Sequence, residues 1–499
     1  MLVLLLLLPV VVSAGDSILL NTANIPGTTF FESAYRQPAA AFLRPAPYKA
    51  DVSAMYAFED RKKYSLLRDG EGGYRWGFSA DGLVRKQKTA YWGKAAYRNT
   101  YTRHVRWSNV SDLERIGPYH IADTTGGNVF GEHYSFSGGF AGIVKEKYVW
   151  AIEAGYRAGN DFRRRDPRPA VYISDLYIHT GGSMPVGTHR MGMSLKASTY
   201  QQRLETKTVE SNRKDTYYPM KGFGMYDRAH LDYNSSFSWL YEGKGYGASL
   251  FLLPEKEKGF VAMLDVLSED TESFATSNKY PFFYRIQSVH FSAGYRAKSR
   301  TGSQQVKARL DYRNGKGTER VYETVERNDG AGKIYYDYRL LTESHRYTRK
   351  TGYIGIDALK EWYRSRSNMW GQLGVGLRSS EERYLSPAYH MEYTHLDLSA
   401  KGGMQYFMKS SSVLVELSGG YYPNIRSSEE VPMTDAMFIA SVLPDLDIFG
   451  SSPWKVDLRC EYQYRIKKKA AWYVSGNLTR LSYKSRYAMG VEICAGIRM

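Results

Sequence analysis

Two pairs of residues in this chain have the spacing of a strand-borne catalytic couple, His133-x-Ser135 and His290-x-Ser292. Residues two apart on a strand share one face, so an imidazole there can take the proton of a neighbouring serine hydroxyl. A lipid-cleaving couple of this kind has to face acyl chains. Tyr134 and Phe136, and likewise Phe291 and Ala293, are the side chains suited to lipid, which turns both histidines towards water. Both pairs therefore read as chance spacings on a wet face. Asp232, Asp265 and Asp270 are scattered and join no acidic-histidine group that a protease would need. His179 and His189, on either side of Gly181-Gly182 read as a turn, have no third ligand for a metal. No catalytic residue, metal site or cofactor is expected.

The charged residues suggest attraction instead. The formal net charge is +17, which suits nucleic acid, an anionic surface or an acidic solute. A secretory leader, described below, excludes nucleic acid. Outside, the expected partners are outer-membrane lipid and lipopolysaccharide phosphates; inside, an anion-attracting lumen. Lys307, Arg309 and Asp311 alternate with Val306, Ala308 and Leu310, so they are candidates for lining a wet interior and drawing in a solute. The run Arg163-Arg164-Arg165-Asp166-Pro167-Arg168 reads as a solvated connection, and Arg465 to Lys469 as a charged turn at headgroup level.

The elements that would hold these residues are strands. Met1 to Val12 is apolar and is followed by Ser13, Ala14 and Gly15, which is read as a signal peptide over residues 1–14. Beyond it no apolar run approaches the roughly twenty residues of a spanning helix. Period-two alternation recurs throughout, as in Tyr148-Trp150-Ile152-Ala154-Tyr156, Val306-Ala308-Leu310-Tyr312 and Tyr487-Met489-Val491-Ile493. Aromatics favour the ends of these runs. The 43 Tyr and 46 Gly beside 17 Pro, with a mean hydropathy of −0.48, are what alternating lipid-facing and water-facing residues produce. The fold is expected to be all-β, a single transmembrane antiparallel β-barrel of about 14 to 18 strands. Residues 15–50 form an N-terminal periplasmic or plug-like segment, and 51–499 the barrel.

Counting strands back from Met499 alternates short and long connections, as a barrel with short periplasmic turns requires. Pro423 to Pro453 and Ser379 to Glu392 fall outside, while Arg203 to Arg228 falls on the periplasmic side, where so long a stretch does not belong. The segment from Pro423 to Pro453 holds Phe438, Ile439, Leu443 and Phe449, more apolar surface than a solvated loop carries. It is expected to constrict the mouth, cover the rim as a short helix, or dock on a partner.

Leader, Tyr/Gly-rich alternating strands and apolar terminal strand together resemble the porin-like outer-membrane barrels of the Bacteroidota, of about this length and without a plug domain. Tyr35-Arg36-Gln37-Pro38-Ala39-Ala40 is similar to an Asn-Pro-Ala element of such barrels, with Arg36-Gln37 where Asn stands in theirs. The resemblance implies a non-enzymatic protein of the outer membrane. The expected function is passive passage of small hydrophilic or anionic solutes. The alternative is an accessory barrel that docks another outer-membrane protein or lipoprotein through long extracellular loops.

Overall fold

The computed structural model describes residues 29–44, 48–62, 64–210, 215–230, 236–256, 258–275, 279–328, 334–467 and 470–499. The leader at 1–14 lies outside them. Strands account for 75% of the described residues and helices for 8%. The strands close into one antiparallel barrel of 18, at the upper end of the expected range.

Around the barrel the strands are β1 (Tyr48–Asp60), β2 (Gly72–Arg85), β3 (Thr89–Val105), β4 (Gly127–Val144), β5 (Tyr148–Arg163) and β6 (Arg168–Val186). They continue as β7 (His189–Lys207), β8 (Ser236–Pro254), β9 (Lys258–Ala275), β10 (Lys279–Lys298), β11 (Gly302–Asn328) and β12 (Ile334–Tyr363). The circuit ends with β13 (Ser367–Leu385), β14 (Ala388–Phe407), β15 (Ser411–Tyr421), β16 (Trp454–Lys467), β17 (Ala470–Tyr483) and β18 (Arg486–Arg498). Each pairs with its sequence neighbour, and β18 returns to β1 with Ile493 opposite Tyr56. Closure leaves no sheet edge facing lipid, the condition for strands to cross a bilayer.

The alternation sorts the wall as the pattern requires. Tyr148, Trp150, Ile152 and Tyr156 are exposed on the outer face of β5, whereas Val149 and Ala151 are buried inside. Outer aromatics form two tiers. At one end Tyr74, Tyr101, Phe130 and Phe162 run across four strands with ring centroids 5.1, 5.0 and 5.6 Å apart. At the other, Tyr91 lies 5.2 Å from Phe140, which lies 6.2 Å from Trp150. Tyr91 and Tyr101 lie on one strand. Ten residues at about 3.4 Å rise and a tilt near 45° separate the tiers by about 24 Å, matching an apolar band of about 25 Å.

Connections at the end where Arg498 finishes are short; the opposite end, the mouth, carries the long ones. Two expectations are corrected. The stretch Arg203 to Arg228 does not fall with the short turns. It continues β7 to Lys207 and then enters the long connection at the mouth. The miscount came from the hairpin of β8 and β9, whose charged turn, Glu255 to Lys258, interrupts alternation only briefly. Ser379 to Glu392 is no loop either: β13 and β14 stay paired up to Leu385 opposite Ala388. One hairpin exceeds the wall. Arg320–Asn328 of β11 pairs with β12, while β10 pairs with β11 only to Glu319.

Cys460 is on the outer face of β16 and Cys494 on the inner face of β18, both free. Strand β17 separates them, roughly 9.6 Å at two strand spacings, beyond the reach of a disulfide. Oxidation of the native protein is expected to yield no Cys460–Cys494 crosslink by mass spectrometry; finding one would refute this strand order.

Candidate functional site

The lumen is occupied by the chain's own segments at both ends. Near the short turns lies the N-terminal stretch, a helical turn Glu32–Tyr35 followed by a 3₁₀ segment Pro38–Leu43. Pro38 sits at the start of that segment, where its missing N–H costs no helical bond. Phe30, Phe31, Ala34, Tyr35 and Ala39–Ala41 are buried in one cluster with inward residues such as Ala151, Phe251, Leu253 and Met263. The small alanines let backbone approach the wall closely. Ser183 donates to the Ala39 carbonyl at 2.8 Å and Ser194 to Gln37 Oε1 at 2.8 Å. Arg44 covers the Trp92 ring at 4.8 Å, and Arg85 donates to the Phe42 carbonyl.

The mouth is filled by three inward-folded pieces. The connection between β3 and β4 carries Ile116, Tyr119 and Ile121, all buried. Ion pairs staple it to the wall. Arg157 Nη2 lies 2.6 Å from Asp112, while Arg115 reaches Asp175 at 2.9 Å and Glu269 at 2.7 Å. Arg163 pairs with Asp123, each side chain only 2% exposed. Breaking such a buried pair by removing one partner costs about 3 to 5 kcal/mol. The second piece, between β7 and β8, pairs Tyr218–Gly222 with Ile121–Ala122 and with Met225–Tyr226 in a small sheet.

The third piece is the connection between β15 and β16. Its residues 424–430 extend the wall along β14. Two short helices, Ala436–Ser441 and Leu443–Phe449, then turn back over the opening. Asp435 caps the first by accepting from the Met437 and Phe438 N–H groups at 2.8 and 3.0 Å. Phe438 is fully buried among the mouth aromatics. Gly224 allows this: at φ +74 it lies so near the helix that a Cβ would stand 2.6 Å from Phe438 Cα. A larger residue at 224 would push the lid outward.

The four loop candidates therefore divide. Phe438 is a core residue, while Leu443 and Phe449 pack partly buried against the cluster. Phe449 stands 5.8 Å from the Tyr393 ring. Ile439 remains 44% exposed. Lys307, Arg309 and Asp311 share the inner face of β11, but their charges are engaged. Lys307 donates to the Phe30 carbonyl at 2.9 Å, so it anchors the N-terminal segment. Arg309 Nε donates to Asp311 at 2.5 Å, and Asp311 also holds His290. His133 is bound to Asp161 at 3.0 Å. Each histidine of the two strand couples is thus partnered by a carboxylate.

Other readings change as well. Arg163 belongs to the buried mouth pair, not to a solvated connection. Gly181-Gly182 sits within β6, not in a turn. Among the described residues, no group of three or more His, Cys, Asp or Glu is placed to hold a metal. The mouth pieces at 106–126 and 215–227 escaped the sequence reading. Their signal was Ile116, Tyr119, Ile121, Tyr217 and Phe223, apolar residues in connections without alternation.

A chamber remains along one wall. Inward residues of β15 to β18 line a cavity of about 530 Å³, among them Glu416, Lys455, Asp457, Arg459, Glu492 and Arg498. The hydrogen bonds of the N-terminal segment run instead to strands from β2 to β11.

The model of a family of unknown function, DUF6850, matches residues 38–496. The chain belongs to that family. No curated protein matches it. Among solved structures it is similar to the ferric preacinetobactin receptor BauA from Acinetobacter baumannii, 9% identical, covering 92% of this chain and 84% of that one, TM-score 0.40. It is also similar to the copper transporter OprC, 8% identical over 90% and 82%, TM-score 0.40. The FrpB iron transporter from Neisseria meningitidis is 7% identical over 90% and 81%, TM-score 0.40. At such scores these likenesses assign nothing to this chain.

Two mouth groups titrate with opposite effect. Burial raises Asp445, which accepts from the Leu67 N–H at 3.0 Å, from 3.8 to about 6. Burial, with Arg68 nearby, lowers His120 from 6.5 to about 4. Stability from Asp445 is complete below pH 3.8 and lost as pH rises through about 6, a cost to the closed lid of about 3 kcal/mol at neutral pH. For His120, stability is complete above pH 6.5 and lost as pH falls towards 4. Corrected for the base-catalysed intrinsic exchange rate, protection against hydrogen exchange is therefore expected to rise in residues 436–449 and fall in 117–123 on going from about pH 7.5 to 5. Asp445→Asn should flatten the first response, and His120→Gln the second. A response of the same sign in both segments would contradict these assignments.

Proposed function

We propose that this barrel resides in the outer membrane as a passive channel for small hydrophilic solutes, with the mouth pieces as its constriction. The single observation carrying this is the polar chamber lined by inward residues of the β15 to β18 wall. Such a chamber suits water and polar solute, and the aromatic cluster at the mouth is the barrier they meet. Lys307 and Arg309 contact the chain itself, and this reading claims no anion preference. Catalysis has no part in this reading.

The test is conductance in planar bilayers. Deleting residues 428–449 is expected to raise single-channel conductance several-fold over the intact chain, with barrel assembly retained. Equal conductance of the two would overturn the lid's role as constriction. A second reading, docking of another outer-membrane protein or lipoprotein, is favoured by the hairpin beyond the wall. There Val321, Tyr336, Leu340 and Leu341 are all exposed. Its mark would be loss of a copurifying protein when residues 320–342 are replaced by a tight turn, with conductance unchanged.

A further inference from the structure

The chamber has an ordered pattern of charge. Register places Glu416 opposite Arg459, Arg459 opposite Asn477, and Asn477 opposite Glu492. One row across four strands thus reads acid, base, amide, acid. One step towards the mouth, Asp457 lies opposite Ser418. Lys455 and Asp457 are 3.1 Å apart, and Arg459 stands 2.9 Å from Glu461. Glu416 is held by Lys401 at 2.9 Å and by Trp370 Nε1 at 3.2 Å; Glu492 is held by Arg75 at 2.9 Å. Near the turn end Arg498 binds Asp51 at 2.9 Å and Glu461 at 2.6 Å, and lies 3.7 Å over the Tyr473 ring.

Each charge on this wall has an opposite neighbour, so the row offers both signs and little net field. A monoanion drawn to Arg459 meets Glu416 and Glu492. A monocation drawn to Glu492 meets Arg459 and Arg75. A sugar would want an aromatic face, and the Tyr473 ring is covered by Arg498. Only a solute with both charges gains at both ends. Hydrogen bonds with an ionised partner are roughly twice as strong as neutral ones. Arg459 and Glu492 sit two strand spacings apart, about 9.6 Å at the backbone. A gap of that order accommodates a small zwitterion with one hydrogen bond at each end. Asn477 stands between them, and its amide has no side-chain partner among the described residues. It can donate to and accept from the middle of such a solute.

We propose that this row is a binding site for zwitterions of dipeptide size, with Arg459 holding the carboxylate, Glu492 the ammonium and Asn477 the peptide group. The inference deepens the channel reading and rests on it for its role in passage, though not for binding itself.

Isothermal titration of the full chain in detergent, using glycylglycine, N-acetylglycine, glycinamide and arabinose, tests it. Glycylglycine is expected to bind about tenfold or more tightly than the other three. Arg459→Gln and Glu492→Gln should each weaken it by about tenfold, with heat-modifiable gel migration showing an intact barrel. Asn477→Asp, a change at a side chain without a partner among the described residues, should weaken it too and serves if either charge variant fails to assemble. Equal binding of all four probes, no binding of glycylglycine, or affinity untouched by Asn477→Asp would overturn the site. Proteoliposome swelling separates the two claims: binding without entry of glycylglycine through the lid-deleted barrel sinks the channel and leaves the site standing.

Discussion

The hydrogen-bonded closure of β18 onto β1 is the constraint on which everything else depends. In lipid an unpaired backbone group costs several kcal/mol, so a sheet that spans must have no edge. Once the circuit closes, alternation has only two destinations. Every second side chain meets acyl chains and the rest meet the lumen. The outer wall answers with aliphatic residues between two aromatic tiers. The inner wall, relieved of that demand, is free to carry charge.

That freedom creates its own problem, because an 18-stranded lumen is too wide for wall side chains to fill. The chain fills it with itself. At the turn end the filling is small and close-packed, alanines and two phenylalanines against the wall. At the mouth it is aromatic, and ion pairs hold it there: Arg115, Arg157 and Arg163 each bridge an inward loop to a strand. Arginine suits this work because its fork binds two carboxylates in fixed geometry. These pairs set arginine against carboxylate, so the chain's formal excess of +17 lies with its other residues.

What the sequence made legible was whatever period two controls. The faces of β5 and β11, the apolar β18 and the separation of Cys460 from Cys494 all follow from alternation. So did the apolar content of Pro423 to Pro453, whose excess over a solvated loop announced its burial. Contacts between remote segments were not legible, because nothing local marks them. Lys307 looks like a free lumen cation until Phe30, far away in sequence, lies against it. Arg163 likewise looks like part of a basic turn until Asp123 folds onto it. The β8–β9 turn was missed for a different reason: between two strongly alternating strands, a charged tetrapeptide is a weak signal, and one omitted turn reverses every assignment upstream.

The N-terminal segment is joined to the barrel wall by very little chain, since Arg44 and Tyr48 are separated by Pro45, Ala46 and Pro47 alone. A group held on so short a leash cannot diffuse away when its contacts break. It stays near its binding wall at an effective concentration in the mM range or above. Rebinding is therefore intramolecular and independent of how much protein is present. A free solute competing for the same inner surface faces a resident rival that dilution never removes, and the two halves of the lumen consequently differ: one is contested by a tethered occupant, the other is open to whatever arrives.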